Sequence, residues 1–273
     1  MTPSGSTAAP PLPSDSVRYL AQCLLRINNP VQKAANVRAL DATGMAIRPE
    51  DHIADAADIP GVPERPALVS PQQLKPRSPG TREGRGALIH ALAHIEANAI
   101  NLALDVTWRF AGMPERFYWD WLQVAREEAL HFQLLREHLL TLGFDYGDFP
   151  AHNGLWDMAQ KTRDSLLARL ALVPRTLEAR GLDASVPIRN RLVSVGDHRA
   201  AAILDIILRD EIGHVAVGNH WYRFLCSAQN LDPVSTFATL AAQHGAPKLK
   251  GPFNLVARRA AGFDEAELAL LGV

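Results

Sequence analysis

The chain has 273 residues, 47% of them hydrophobic, so it is long enough to bury one substantial core. Its 28 basic and 29 acidic residues nearly cancel, which excludes a global field that would attract nucleic acid or a membrane surface. The two cysteines, Cys23 and Cys226, form no Cys-x-x-Cys motif, so we expect free thiols and no thiolate metal site. The N-terminus lacks the apolar run of a secretory signal, which predicts a soluble cytoplasmic protein.

The first part of the chain is predicted to be poorly packed. Residues 1–16 are rich in Pro, Ser, Thr and Ala and are expected to form a disordered tail. Short helices are expected from Ser16, a suitable N-cap, and over Val31–Leu40. Ile59–Gly80 is rich in proline, which excludes a regular helix and favours extended chain. We therefore expect residues 17–80 to wrap a folded body.

Residues 81–230 show helical periodicity outside the turn-rich connections and predict four main helices. The first begins near Thr81 and is apolar on almost every side, as a core helix is. A break at Gly112 separates it from the second, over Glu115–Leu142. The turn-rich connection 143–154 can span roughly 40 Å when extended, so it can return the chain to the other end of a bundle.

The third helical region is predicted over Leu155–Arg180, with a stop at Gly181. Asp197 is a suitable cap for the fourth helix. Residues 231–273 are expected to form short helices that pack on the bundle. Their basic residues are interpreted as solvated surface; these are Lys248, Lys250, Arg258 and Arg259.

Two Glu-x-x-His pairs are the strongest functional signal in the chain. They are Glu128 with His131 and Glu211 with His214. With 12 Glu and 10 His in the chain, random placement would give about 0.4 such pairs. Three residues advance a helix by roughly 300°, so each carboxylate lies beside its imidazole and can bind the same ion. Two pairs on two helices predict two metal ions.

Two further glutamates complete the predicted ligand set. Glu96 is the only acidic residue between Glu83 and Asp105, in an apolar helix where an unpaired charge is costly. It lies 16 residues before Gly112 and Glu128 lies 16 after it, so an antiparallel hairpin places both at one level. Glu178 is the less regular member, because a straight third helix would put it about 10–15 Å from that level. A kink at Pro174 or an early break near Asp157 has to correct this.

The fold class predicted from these features is all-α: a four-helix bundle with a long crossover between helices 2 and 3. The metal ligands would be Glu96, Glu128, His131, Glu178, Glu211 and His214. Carboxylates with imidazoles suit two iron ions, with manganese as an alternative. Metal-bound histidines usually donate their free N–H to a carboxylate, so we predict that Asp210 holds His131 and Glu127 holds His214. A solvated charged edge is the other interpretation of Asp210 and Glu127.

These motifs resemble those of the ferritin-like superfamily. The resemblance is carried by Glu96, the Glu128-Ala-Leu-His131 motif, VPRTLEARGLD around Glu178 and RDEIGHV around Glu211 and His214. The phrases YGDFPAHNGLWDMA and KGPFN are similar to a bacterial family of unknown function related to di-iron tRNA hydroxylases. The resemblance implies a four-helix bundle with two metal ions and does not imply a substrate.

Three functions follow as hypotheses. The first is an oxygen-dependent oxidase or hydroxylase of an organic substrate, and the second is a ferroxidase that handles iron. The long segments before and after the bundle favour the first, because ferritin subunits are compact. The third, tRNA hydroxylation, has only the resemblance behind it, and the balanced charge gives no footprint for nucleic acid. The predicted partners are dioxygen, a small-molecule substrate and an electron donor, without a membrane; the sequence leaves open whether the chain forms a homodimer.

Overall fold

The computed structural model describes residues 16–75 and 77–272, and the regular secondary structure of this part of the chain is helical, without β-strands. A 3₁₀ turn at Pro71–Gln73 and a π-helical segment at Val173–Glu178 accompany eleven α-helices. The helices are α1 (Val17–Leu25), α2 (Pro30–Arg38), α3 (Arg82–Arg109), α4 (Glu115–Thr141), α5 (Gly154–Lys161), α6 (Leu166–Leu172), α7 (Ala179–Ser194), α8 (His198–Ala228), α9 (Pro233–Gln243), α10 (Leu255–Ala260) and α11 (Glu265–Ala269). The predicted tail lies outside the described residues, apart from Ser16, which caps α1.

Helices α3 and α4 form an antiparallel pair. The Thr81 side chain caps α3 by accepting a hydrogen bond from the Gly84 N–H, 3.0 Å away. The chain reverses at Gly112, whose φ of +76° favours glycine. At the far end, the Arg82 guanidinium donates to the Leu142 carbonyl across 2.5 Å. Contacts at both ends of the pair bring the middle of α3 opposite the middle of α4.

Helix α8 runs antiparallel to α4 along its whole length. At one end, the Trp221 indole N–H donates to Asp120 Oδ2 across 3.1 Å. At the other, His138 Nε2 lies 2.9 Å from Asp197 Oδ2, and Asp197 also caps α8. The residues between these contacts therefore face each other across the α4–α8 interface.

The third helical region differs from its prediction in both continuity and length. It is broken at residues 162–165, where the buried Arg169 guanidinium donates to the Thr162 hydroxyl and the Ala159 carbonyl. The predicted stop at Gly181 is wrong, because α7 continues through Gly181 and Pro187 to Ser194. An internal proline costs about 3 kcal/mol. Packing of α7 against α8 offsets this cost, since Ala179, Leu182 and Leu192 of α7 are fully buried.

The terminal segments pack on these long helices. Helix α1 lies against α3, and α2 lies against α4. The proline-rich segment is tied at two points: the Gly61 N–H donates to the Leu25 carbonyl, and the Val69 N–H donates to the Ala151 carbonyl. Near the C-terminus, the interpretation of Arg258 as solvated surface is wrong. Its side chain is buried and donates to Asp183 Oδ2 across 2.6 Å, which anchors α10 to α7.

Helix α3 is, among the described residues, the one helix long and apolar enough to cross a membrane. Two-thirds of its most apolar stretch (67%) is buried inside the protein. This burial is typical of the core helix of a soluble protein. Both cysteines are free thiols, Cys226 buried and Cys23 half-buried.

Gly218 of α8 marks the closest approach of the π-helical segment. A Cβ atom at this position would lie 2.6 Å from Pro174 Cβ, so Gly218→Ala would push the segment away from α8. We expect a loss of about 1–3 kcal/mol in the free energy of unfolding, measured by chemical denaturation. Gly213→Ala on the same helix is the control: it meets open space and should stabilise by up to about 1 kcal/mol. Equal effects of the two substitutions would contradict this account.

Candidate metal centre

The first half of the predicted site lies between α3 and α4. His131 Nδ1 is 3.3 Å from Glu96 Oε2 and 3.3 Å from Glu128 Oε2. All three residues are buried. The equal spacing of Glu96 and Glu128 from the turn thus brings both carboxylates to one imidazole.

The second half lies between α4 and α8. His214 Nδ1 is 2.9 Å from Glu128 Oε1 and 3.9 Å from Glu211 Oε2. Glu128 therefore contacts both imidazoles, one with each carboxylate oxygen. The rings of His131 and His214 lie 5.8 Å apart between their centroids, so the two Glu-x-x-His pairs meet in one cluster.

Four of these residues are close enough to bind a single ion. One ligand atom from each of Glu96, Glu128, His131 and Glu211 lies within 4.8 Å of all the others. Three helices supply them, and all four side chains are buried. The geometry can hold a metal ion; the identity of that ion is a matter of proposal.

One carboxylate outside the cluster lies against the Nε2 atom of each imidazole. His131 Nε2 lies 3.1 Å from Asp210 Oδ2, and His214 Nε2 lies 2.8 Å from Glu127 Oε2. A carboxylate at Nε2 holds a proton there, so Nδ1 is the ring atom directed at the cluster and can become a ligand once a metal ion displaces its proton. The interfaces between α4 and α8 thus orient both imidazoles for ligation through Nδ1.

Glu178 is placed by a local departure from α-helical geometry. It ends the π-helical segment, in which the Thr176 hydroxyl donates to the carbonyl of Ala171, five residues earlier. Its Oε2 atom is shielded from solvent and has no hydrogen-bond partner. Burial, followed by the charge of Glu128, raises the pKa of Glu178 to about 8. Glu178 is not one of the four residues above, but the charge of Glu128, which is one of them, contributes to the raised pKa of Glu178.

The pKa values of the cluster show that its carboxyl groups lack enough positive charge to balance them. Burial and the charge of Glu128 raise the pKa values of Glu96 and Glu211. Burial alone would lower the pKa of His131, but hydrogen bonds to Glu128 and Glu96 outweigh it and raise this pKa to about 11. The metal-free cluster therefore retains protons, which divalent cations would displace.

The buried oxygen and nitrogen atoms of the site fit a metal ion. Five buried atoms of the cluster lack an aligned hydrogen-bond partner, and all five are oxygen or nitrogen atoms of the type that binds transition metals. They are Glu96 Oε2, Glu128 Oε1, Glu178 Oε2, Glu211 Oε2 and His214 Nδ1. Glu128 Oε1 and His214 Nδ1 lie 2.9 Å apart, so the cost of burial without a partner falls mainly on the other three carboxylate oxygens, which bound ions would satisfy.

The other buried histidines have partners elsewhere. His90 Nε2 accepts a hydrogen bond from the Gly147 N–H, and His94 lies 2.9 Å from the Tyr146 hydroxyl. A buried ion pair between Asp105 of α3 and Arg169 of α6 was not predicted from the sequence. Asp105 is an acidic residue in an apolar helix, the signal that identified Glu96. The ion pair with Asp105 holds Arg169 at the break before α6, where Arg169 also donates to Thr162. The charge of Glu178 also acts on the Arg169 guanidinium.

Comparison with known proteins shows the family to which the chain belongs. Residues 26–269 match the family described as "Protein of unknown function (DUF455)". The chain belongs to this family. The DUF455 chain is also 50% identical over 229 residues to an uncharacterized protein of Haemophilus influenzae, covering 81% of this chain and 77% of the relative. No solved structure matches it.

Asp210 offers a test of the outer carboxylates in this DUF455 protein. We expect Asp210→Ala to weaken metal retention by about 10–100-fold, because His131 would lose the partner of its Nε2 atom. Metal retention is measured by competition with a chelator. Asp205→Ala is the matched control, since Asp205 lies on the same helix but pairs with Arg189 at the surface. Equal retention in the two variants would show that Asp210 does not orient a metal ligand.

Proposed function

We propose that this protein is a di-iron carboxylate protein, with manganese as the alternative metal, that uses dioxygen to oxidise an organic substrate in the cytoplasm. The observation that carries the proposal is the cluster of unpaired carboxylate and imidazole atoms buried between α3, α4, α8 and the π-helical segment. This donor set matches that of ferritin-like di-iron bundles, in which two helices supply a Glu and two supply Glu-x-x-His.

The four-helix bundle of this proposal consists of α3, α4, the α5–α7 region and α8, with the residue 142–153 connection as its crossover. It would occupy residues 81–230, with residues 17–80 wrapping it and residues 231–273 packing on it. The antiparallel α3–α4 and α4–α8 pairs support the arrangement. Each helical region contributes one predicted carboxylate ligand: Glu96, Glu128, Glu178 and Glu211.

The residues have distinct chemical roles in this proposal. Glu128 would help to hold both ions, because each of its two oxygens contacts one of the two imidazoles. Glu96, Glu178 and Glu211 would bring the number of ligand carboxylates to four, enough to neutralise two divalent ions. Two bound ferrous ions would supply electrons for the reduction of dioxygen.

The protons of the imidazoles are held outside the cluster. Glu127 would accept a hydrogen bond from Nε2 of His214, and Asp210 one from Nε2 of His131. These contacts would keep both rings in place while the charge of the bound metal changes. The surrounding apolar residues of α3, α4 and α8 exclude bulk water from the ligand atoms. Low local polarity strengthens the attraction between the carboxylates and a bound cation.

The test combines metal analysis with oxygen chemistry. The protein is purified without added metal, reconstituted anaerobically with ferrous iron, and analysed for bound metal. We expect about two ions per chain. Mixing with oxygen should then consume dioxygen and change the optical spectrum. A lack of stoichiometric transition metal after reconstitution would refute the proposal.

The same experiment separates the oxidase from iron handling. A ferroxidase would continue to oxidise added ferrous iron far beyond two ions per chain, whereas an oxidase of organic substrates stops at its resident ions until reductant is supplied. A tRNA hydroxylase would additionally show retention of tRNA by the metal-loaded protein. These outcomes distinguish the three hypotheses within the di-metal class.

A further inference from the structure

A second candidate site lies in a cavity of about 450 Å³ between α9, the C-terminal residues and the π-helical segment. Its volume falls in the range of small-molecule sites. It shares no lining residue with the metal centre. Most of its wall is apolar, including Phe237 and Ala241 of α9 and Leu271 near the C-terminus. Such a wall suits the body of an organic ligand.

Arg175 supplies a buried cation in the wall of this cavity. Its side chain is 2% exposed and stacks on Tyr222, with 4.1 Å between the guanidinium carbon and the ring centroid. It donates to Glu267, and through Nε to Asn219, but its Nη1 group has no hydrogen-bond partner. Because Nη1 is itself closed off from solvent, Arg175 contributes the positive charge of its guanidinium to the wall rather than an accessible donor.

The charge around the cavity is unbalanced in favour of an anion. Three cationic side chains and one carboxylate line it. The carboxylate, Glu267, is already bonded to Arg175 and Arg223, and the cation Arg258 is paired with Asp183. Lys248 is exposed and, within the described part of the chain, has no hydrogen bond or ion pair. An incoming carboxylate would therefore meet uncompensated positive charge.

We propose that this cavity binds an organic monocarboxylate, with its apolar body against α9 and its carboxylate held by Lys248, beside the buried positive charge of Arg175. Charge selects the anion, since an isolated carboxylate is costly to bury without a cationic partner. The enclosed aromatic and aliphatic wall selects an apolar body over a small inorganic anion. The site stands independently of the metal centre, so it can be tested in the metal-free protein.

Calorimetric titration of the full metal-free chain provides the test, with octanoate and 2-naphthoate as probes and 1-octanol as the uncharged comparison. We expect saturable binding of at least one carboxylate at one site per chain. Octanol should bind about 10-fold more weakly than octanoate, because it cannot form a charge-assisted contact. Saturation by neither carboxylate, or equal affinity for octanol, would overturn the proposal.

Substitutions at the cavity wall locate the binding. Lys248→Ala should weaken carboxylate binding by about 3–5-fold and Lys248→Glu by more, whereas Lys250→Ala, an exposed lysine outside the cavity, should have no effect. Ala241→Phe should abolish binding by filling the cavity, and Ala238→Phe on the exposed side of α9 is its control. Circular dichroism verifies that each variant is folded. Unchanged affinity in both Lys248→Glu and Ala241→Phe would refute the assignment.

Discussion

Glu128→Ala is expected to empty the whole metal centre, reducing bound iron from about two ions per chain to almost none. Among the described residues, Glu128 is the carboxylate that contacts both imidazoles: its Oε2 lies 3.3 Å from His131 Nδ1 and its Oε1 lies 2.9 Å from His214 Nδ1. If Glu128 helps to hold both ions of the proposed centre, its removal weakens the binding of both.

The measurement is elemental analysis after anaerobic reconstitution with ferrous iron and removal of excess metal. Glu137→Ala is the matched control, because Glu137 lies on the same helix but is exposed to solvent. It should retain the full complement of iron. Two ions per chain in the Glu128→Ala variant would exclude the centre as the binding site. Circular dichroism distinguishes loss of metal from loss of the fold.

Glu178→Gln is expected to have opposite effects on the metal-free and metal-loaded proteins. Burial raises the pKa of Glu178 from an ordinary 4.5 to about 8. The native state therefore holds this proton more tightly than the unfolded state, and the resulting stability is complete below pH 4.5 and lost as pH rises through about 8. Above pH 8 the metal-free protein carries a buried charge that costs about 2–5 kcal/mol, the residue's partial exposure favouring the lower end.

Glutamine does not ionise, so the metal-free variant should be the more stable protein at pH 9. With manganous ion present at pH 7.5, the order should reverse. Wild-type protein gains about 2.7 kcal/mol when the free metal exceeds its Kd 100-fold. The variant gains less, since it lacks one carboxylate ligand. Chemical denaturation at both pH values, with chelator or with metal, measures both effects.

Glu137→Gln serves as the control, because an exposed glutamate should change neither the pH dependence nor the stabilisation by metal. If metal-free Glu178→Gln loses stability between pH 6 and pH 9 as steeply as wild type, Glu178 is not the titrating group. If it gains as much stability from metal as wild type, Glu178 is not a ligand. The two readouts fail independently.

Opposite effects of this kind are expected wherever a protein keeps charged ligands in its core. Burying Glu96, Glu178 and Glu211 in charged form without full partners destabilises the fold. Bound cations would offset this destabilisation. The metal-free fold is therefore less stable than a version with neutral residues at these positions. This cost is a reason to interpret the cluster as functional.

Local sequence signals determined the helices that form most of the site. Apolar periodicity predicted α3, α4 and α8, and Thr81 and Asp197 act as the caps of α3 and α8. The equal spacing of Glu96 and Glu128 from Gly112 predicted their common level, because an antiparallel pair joined by a short turn leaves little freedom in register. The two Glu-x-x-His spacings predicted the pairing of carboxylate with imidazole. That the cluster binds metal stays a prediction.

The tertiary structure alone decided the course of the third helical region. A kink at Pro174 and a stop at Gly181 were predicted, but neither the π-helical geometry before Glu178 nor the passage of α7 through Gly181 and Pro187 was. The sequence likewise hid the burial of Arg175 and Arg258 under the C-terminal helices. The local cost of a glycine or proline inside a helix is about 1–3 kcal/mol per residue. Packing of α7 and the C-terminal segment against α8 outweighs this local cost. Contacts between residues distant in the chain therefore set what local preference could not.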